Sequence, residues 1–168
     1  MKIKAIVYSS NTGTTAQYAR MLSEKNGIPA YTLGEAEQKI GAQEPVLFMS
    51  WLMAGTLVDY KKAARKHHIT ACCSVGLNAT SEQEAATRKS TGIAENIPLF
   101  ALKGGYQPDQ LHGMYKWMMK LVTKVLIKKI SSMENRGAEE ESMLHTLRHG
   151  GSYVNAENLE RVQRWLQA

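Results

Sequence analysis

This 168-residue sequence predicts an α/β fold, a parallel sheet with helices on both faces, on three observations. Short apolar runs at residues 3–7, 45–50, 69–75 and 97–102 read as buried strands. Helix-like stretches alternate with those runs. The first run also ends in a turn of small polar residues, Ser9-Ser10-Asn11-Thr12-Gly13-Thr14-Thr15, that opens a helix.

The first strand rests on Ile3, Ala5, Ile6 and Val7, and the helix after the turn puts Tyr18, Ala19 and Leu22 on one face before stopping at Asn26-Gly27. A short second strand fits 29–33, and 45–50 reads as a third. Residues 56–67 have helical character, with Leu57, Tyr60 and Ala64 on one side. The fourth strand is 69–75. Ser81 with Glu84 three residues on predicts a capping box that opens a helix running through about Ala94. Residues 97–102 supply the fifth strand.

A helix over 114–130 follows, with Lys116, Lys120, Lys124 and Lys128 recurring every four residues as a basic stripe. Met114, Met118, Leu121, Val122, Val125 and Leu126 fill much of the remaining circumference. This pattern fits a helix lying on an anionic surface, a helix flanking an apolar ligand, or a core helix with a solvated lysine face. Residues 131–151, which include Glu139-Glu140-Glu141, read as a mobile polar loop. Asn155 is placed to cap a last helix carrying Leu159, Val162 and Leu166, with Trp165 beside them. The chain reads as one domain over 1–168, with a helical insert at about 107–150.

Composition narrows the function classes. No run of about 18 apolar residues exists, so no transmembrane span is expected. The opening Met1-Lys2-Ile3-Lys4 leads straight toward a strand without a signal-peptide apolar region, and a cytoplasmic protein is expected. Cys72 and Cys73 are adjacent in a strand, so they point to opposite faces and read as reduced core residues. Twenty-one Lys and Arg against 15 Asp and Glu give a net charge of +6, which favours an acidic protein, a carboxylate-bearing small molecule or an anionic membrane as partner. Nucleic acid is not expected. No metal-ligand spacing stands out: His67-His68 are adjacent and read as ending a helix near its negative pole. His112, His145 and His149 read as solvent-exposed. No catalytic side chain is assigned.

The turn at 9–15 carries the chemistry. Strand, small-residue turn and helix aim backbone N–H groups and a positive dipole end at an anion. Gly13 permits a backbone conformation or close approach that a side chain would obstruct, and Ser10, Thr12 and Thr15 add hydroxyl donors. No lysine follows the glycine, so the nucleoside-triphosphate loop pattern fails, as does G-x-G-x-x-G. A nest of neutral donors suits a phosphate monoester; a plain helix-capping turn is the simpler alternative.

Ser10-x-Thr12-Gly13-x-Thr15 resembles the phosphate loop of flavodoxins, which holds the 5′-phosphate of FMN. The resemblance implies a flavodoxin-like three-layer sandwich, a five-stranded parallel sheet of order 2-1-3-4-5 with an extra helical insert after the fifth strand. Ligands of such sheets sit outside the carboxyl ends of the strands. That rule selects the loops 9–15, 50–55 and 76–80, and with them Ser10, Asn11, Thr12, Gly13, Thr14 and Thr15 as FMN-binding residues. In the second loop, Ser50-Trp51-Leu52-Met53-Ala54-Gly55, Trp51 is the best stacking partner for an isoalloxazine ring, with Leu52 and Met53 as alternatives, or it packs on its own helix. In the third, Gly76, Leu77 and Asn78 are placed to meet the ring edge or other face, unless Asn78 caps a turn.

The 97–130 region and the final helix resemble one branch of the family, the menaquinone-dependent protoporphyrinogen IX dehydrogenases. That implies an FMN-dependent oxidoreductase acting on a quinone or porphyrinogen-like small molecule, peripheral on the inner face of the membrane through the Lys116/Lys120/Lys124/Lys128 helix. The basic charge departs from small carrier flavodoxins, which as a family are acidic. The alternative is an electron carrier between redox partner proteins; a third reading is an interaction domain that has lost FMN.

Overall fold

The computed structural model describes residues 3–168. The opening Met1-Lys2 lies outside the described residues. The chain divides into two compact units, one running to Gly104 and resuming over Val154–Ala168, the other Gly105–Tyr153. The insert expected at about 107–150 falls in the second.

The first unit is an α/β sandwich built on β1 (Ala5–Tyr8), β2 (Ala30–Thr32), β3 (Pro45–Met53), β5 (His68–Gly76) and β6 (Leu99–Lys103). These pair in the order β2-β1-β3-β5-β6, all parallel, the flavodoxin-like order 2-1-3-4-5 once the two-residue β4 (Thr56–Leu57) is set aside. Helices α1 (Thr14–Asn26), α2 (Leu33–Lys39), α3 (Tyr60–Lys66), α4 (Ser81–Thr91) and α7 (Glu160–Gln167) cover it.

Strand alternation sorts the apolar residues into two cores. Ile6, Leu47, Met49, Ala71 and Cys73 pack with Tyr18, Ala19 and Leu22 of α1 and with Val162 of α7. Val7, Val46, Phe48 and Cys72 pack with Leu33 and Ala36 of α2 and with Tyr60 and Ala63 of α3. The adjacent cysteines therefore belong to different cores; both are buried and free.

Helix ends follow local chemistry. α1 closes where Gly27 takes φ 64° and Asn26 Nδ2 donates to the Leu22 carbonyl. α2, absent from the sequence reading, starts on a reciprocal Thr32–Glu35 capping box. α4 is capped one residue earlier than expected. Thr80 Oγ1 accepts from Gln83 N at 3.2 Å, and Ser81 is the first helical residue. Glu84 is drawn elsewhere: its carboxylate accepts from Ala101 N at 2.8 Å and pairs with Arg161. The helix ends at Gly92, φ 79°, not at Ala94. Asn155 Oδ1 accepts from Asn158 N at 3.0 Å, so it caps a short 3-10 turn, Glu157–Leu159, leading into α7.

Two further boundaries differ. β3 runs three residues past Ser50, because Leu52 and Met53 find antiparallel partners in Leu57 and Thr56. Thr56 and Leu57 are accordingly strand rather than helix, and α3 begins at Tyr60. His67 ends α3 at its C-cap, as expected, but is buried there with no partner on either ring nitrogen. Burial pushes its pKa down against the pull of Glu37, favouring the neutral ring.

The second unit contains β7 (Gly105–Tyr106) paired antiparallel with β8 (Gly151–Ser152), and helices α5 (Gly113–Ser131) and α6 (Ala138–His149) between them. The stretch expected to be a mobile loop is therefore largely helix α6. Glu139, Glu140 and Glu141 occupy its first turn and Arg148 and His149 its last, which suits the helix dipole. The Glu140 carboxylate accepts from Gly137 N, and Leu144 and Leu147 are buried one turn apart. Tyr153 OH joins Ser142 and Thr146 of α6 at 2.7 and 2.5 Å, and Thr123 of α5 donates to Tyr106 OH at 2.9 Å.

Candidate functional site at the carboxyl ends of the strands

Because β1, β3, β5 and β6 are parallel, their carboxyl ends share one side of the sheet. β1 and β3 are the neighbours at which the order reverses, where open α/β sheets form a ligand crevice. The loop from Ser9 to Gly13 leaves β1 there and enters α1.

Gly13 is the N-cap of α1 at φ 86°, and no side chain caps that helix end. A Cβ at Gly13 would meet nothing within 4 Å, so the glycine serves the left-handed backbone rather than a tight contact. Ala16 N reaches Ser10 Oγ only at 3.4 Å. The first-turn N–H groups therefore lack a strong side-chain acceptor, the condition in which a helix end receives an anion. Asn11 Nδ2 is a buried amide donor without a partner beside them. Ser10 is exposed, Thr12 half-buried with its hydroxyl 3.4 Å from that of Thr14, and Thr14 and Thr15 are buried.

The second segment is a hairpin. Ala54 and Gly55 both have positive φ, 49° and 78°, as a two-residue type I′ turn requires. Ser90 Oγ donates to the Gly55 carbonyl at 2.8 Å, and Leu57 N donates to Thr91 Oγ1 at 2.9 Å, so α4 anchors the turn and the second arm. Alternation puts half-buried Trp51 on the α1 side with Met49 and Val75. Leu52 faces the other way, against the α2–α3 core, with Met53 half-buried beside the turn. The Ser50 side chain is fully buried, next in register to Ser74, and neither hydroxyl has a partner.

In the third segment, Gly76 ends β5, where a Cβ would come 3.1 Å from Leu52 Cδ1. Leu77 is half-buried and Asn78 exposed.

The chain comparisons add no assignment. No protein-family model, no curated protein and no solved structure matches this chain. The site is read from its own geometry.

That geometry includes residues without a motif in sequence. Gly104 follows β6 so closely beside α1 that a Cβ would lie 2.7 Å from Val75 Cγ1 and 3.3 Å from Thr14 Cγ2. Asp59, at φ 59°, accepts from Ser9 Oγ at 2.8 Å and ties the start of the loop between β1 and α1 to the segment after the hairpin. Ala54 and Asp59 are the two non-glycine residues with positive φ among the described residues, and both lie here. Glycines flanked by apolar strands were the available signal for Gly104; nothing in sequence marks the Ser9–Asp59 contact.

Proposed function

We propose that this chain is an FMN-binding redox protein whose phosphate site is the Ser10–Thr15 loop. The observation that carries the reading is the uncapped start of α1, held open by Gly13 in the left-handed region beside the unpartnered buried donor Asn11 Nδ2. A dianionic phosphate monoester there would gain backbone N–H groups, the Asn11 amide, the Ser10 and Thr12 hydroxyls and the helix dipole, all without a lysine. Trp51 and Met53 beside the crevice would flank a flat ring, with backbone at Gly76, Leu77 and Asn78 toward its edge. Bound FMN would supply the electron-transfer chemistry; the chain would position it and set the polarity around it.

Oxidoreduction of a quinone or porphyrinogen-like molecule is the activity this reading favours, on the strength of the resemblance in 97–130 and the basic charge. A cytoplasmic location follows from the same reading. No helix among the described residues is long and apolar enough to cross a membrane.

The test is titration of the purified chain with FMN, read by flavin absorbance and fluorescence, against riboflavin as the phosphate-free control. Saturable FMN binding with much weaker riboflavin binding is expected, and Asn11→Leu should weaken FMN alone. Equal affinity for both flavins removes the phosphate assignment, and no binding of either removes the cofactor. With FMN bound, turnover of protoporphyrinogen and a quinone marks an enzyme, whereas reduction only by a protein donor marks a carrier.

A further inference from the structure

Helix α5 turns an apolar ridge outward on the side opposite its packed face. Its buried residues are Thr123 and Ile130. At about 100° per residue these fall on one side of the helix, while Met114, Trp117, Leu121 and Val125 fall on the other. Those four are 76%, 67%, 47% and 67% exposed, and Val122 widens the ridge. A tryptophan and three aliphatic or thioether side chains in water along three turns form a contiguous patch of the kind that marks an interaction surface.

Charge identifies the partner. α5 contains five lysines and no acidic residue. Lys120 and Lys124 line one flank of the ridge, Lys129 lies on the other, and Lys128 closes its C-terminal end, while Lys116, seven residues before Thr123, lies toward the packed side. All five are exposed and none is in an ion pair among the described residues.

We propose that this face docks on an anionic lipid bilayer. The helix lies parallel to the surface, the ridge enters the boundary between headgroups and acyl chains, and the lysines meet lipid phosphates. Trp117 sits at the level where an indole finds both an apolar body and polar neighbours. A second copy of the same ridge is a poor occupant, because pairing two such helices would oppose lysine rows with no acidic residue on either. The inference extends the function above without resting on it.

Co-sedimentation of the full chain with vesicles tests it, using phosphatidylcholine alone and phosphatidylcholine mixed with phosphatidylglycerol. Binding to the mixed vesicles is expected, at least about tenfold weaker to the neutral ones and declining with salt. Lys120→Gln with Lys124→Gln should weaken it by about fivefold per lysine. Trp117→Ser with Leu121→Ser should abolish it while leaving the circular dichroism unchanged, since both side chains are exposed. Brominated lipid should quench a fluorescence component that Trp117→Phe removes, separating it from Trp51 and Trp165.

Absence of binding to mixed vesicles at low ionic strength overturns the proposal, as does equal binding to both vesicle types. Undiminished binding by the double serine variant does the same. A sedimentation-velocity dimer that Trp117→Ser dissolves would give the ridge to a second copy instead of lipid. No flavin enters the assay, so its outcome is separable from the cofactor reading.

Discussion

Tyr18 and Asn158 meet at 2.6 Å although 140 residues separate them. The phenol accepts from Asn158 Nδ2 and donates to the Lys103 carbonyl at 2.5 Å, which also receives Asn158 Nδ2 at 3.3 Å. Three elements are thereby fixed at one point: α1, the end of β6 and the approach to α7. Burial raises the Tyr18 pKa, with the Asn158 hydrogen bond opposing, so the phenol stays a donor at neutral pH. Tyr18→Phe should cost about 1–2 kcal/mol, since it leaves a part-buried carbonyl under-satisfied. A double-mutant cycle with Asn158→Ala in urea should show a coupling of about 0.5 kcal/mol or more; simple additivity would show that the two do not act together.

Gly13 separates backbone from contact effects. With open space around a Cβ there, Gly13→Ala should destabilise by only the conformational term, about 1–2 kcal/mol. If the loop holds a phosphate, the same variant should lose FMN affinity while binding of riboflavin changes little. Equal losses for both flavins would point to general damage.

Gly104 and Gly105 should rank in the opposite sense from their similar appearance in sequence. A Cβ at Gly104 meets a valine methyl that can move, whereas one at Gly105 meets the Gly151 carbonyl and lies 2.8 Å from Ser152 Cα, both backbone. Gly104→Ala is expected to cost about 1–3 kcal/mol and Gly105→Ala more, by overpacking. Thermal melts of the two variants check the order.

The thiols should be silent in the native protein. Burial pushes Cys72 up to about 12 and Cys73 well above its ordinary value, with no solvent path to either. Ellman's reagent should find about two thiols in denaturant and close to none without it. Rapid native labelling would mean that the sheet opens locally.

His67 gives a pH signature with a definite sign. Its folded pKa lies below the unfolded value of about 6.5, so as pH falls the unfolded chain takes up a proton first. Stability is full above that unfolded value and declines as pH drops toward the folded one. His67→Leu should flatten this slope in urea midpoints. The carboxyls of Glu35, Glu37 and Glu82, held down chiefly by hydrogen bonds, act in the separate window below the ordinary carboxylate value.

The parallel sheet was legible because its strands are apolar runs wrapped on both faces, and each survives as a strand near its expected place. Boundaries set by tertiary partners were not. β3 overran because Leu52 and Met53 pair with a hairpin arm that sequence reads as helix. Thr80, not Ser81, caps α4, because Glu84 leaves its capping role for β6. α6 was readable in principle from acids at one end, Arg148 and His149 at the other and the Leu144–Leu147 spacing, but its polar composition outweighed them. At the candidate site, the turn and Trp51 were visible as residues, while the Ser9–Asp59 bond and the Gly104 approach depend on chain folding that no local pattern encodes.

The Glu84 carboxylate has a further consequence. β6 is an outer strand of the sheet, and its Ala101 N–H is taken by Glu84 rather than by another strand. Arg161 completes the cover, holding Glu84 and lying 5.5 Å over the Phe100 ring. An outer strand with free N–H groups is a template for addition of a foreign strand, so this side-chain lid acts against aggregation. Its worth lies less in the folded monomer's stability than in the assemblies it prevents at high concentration.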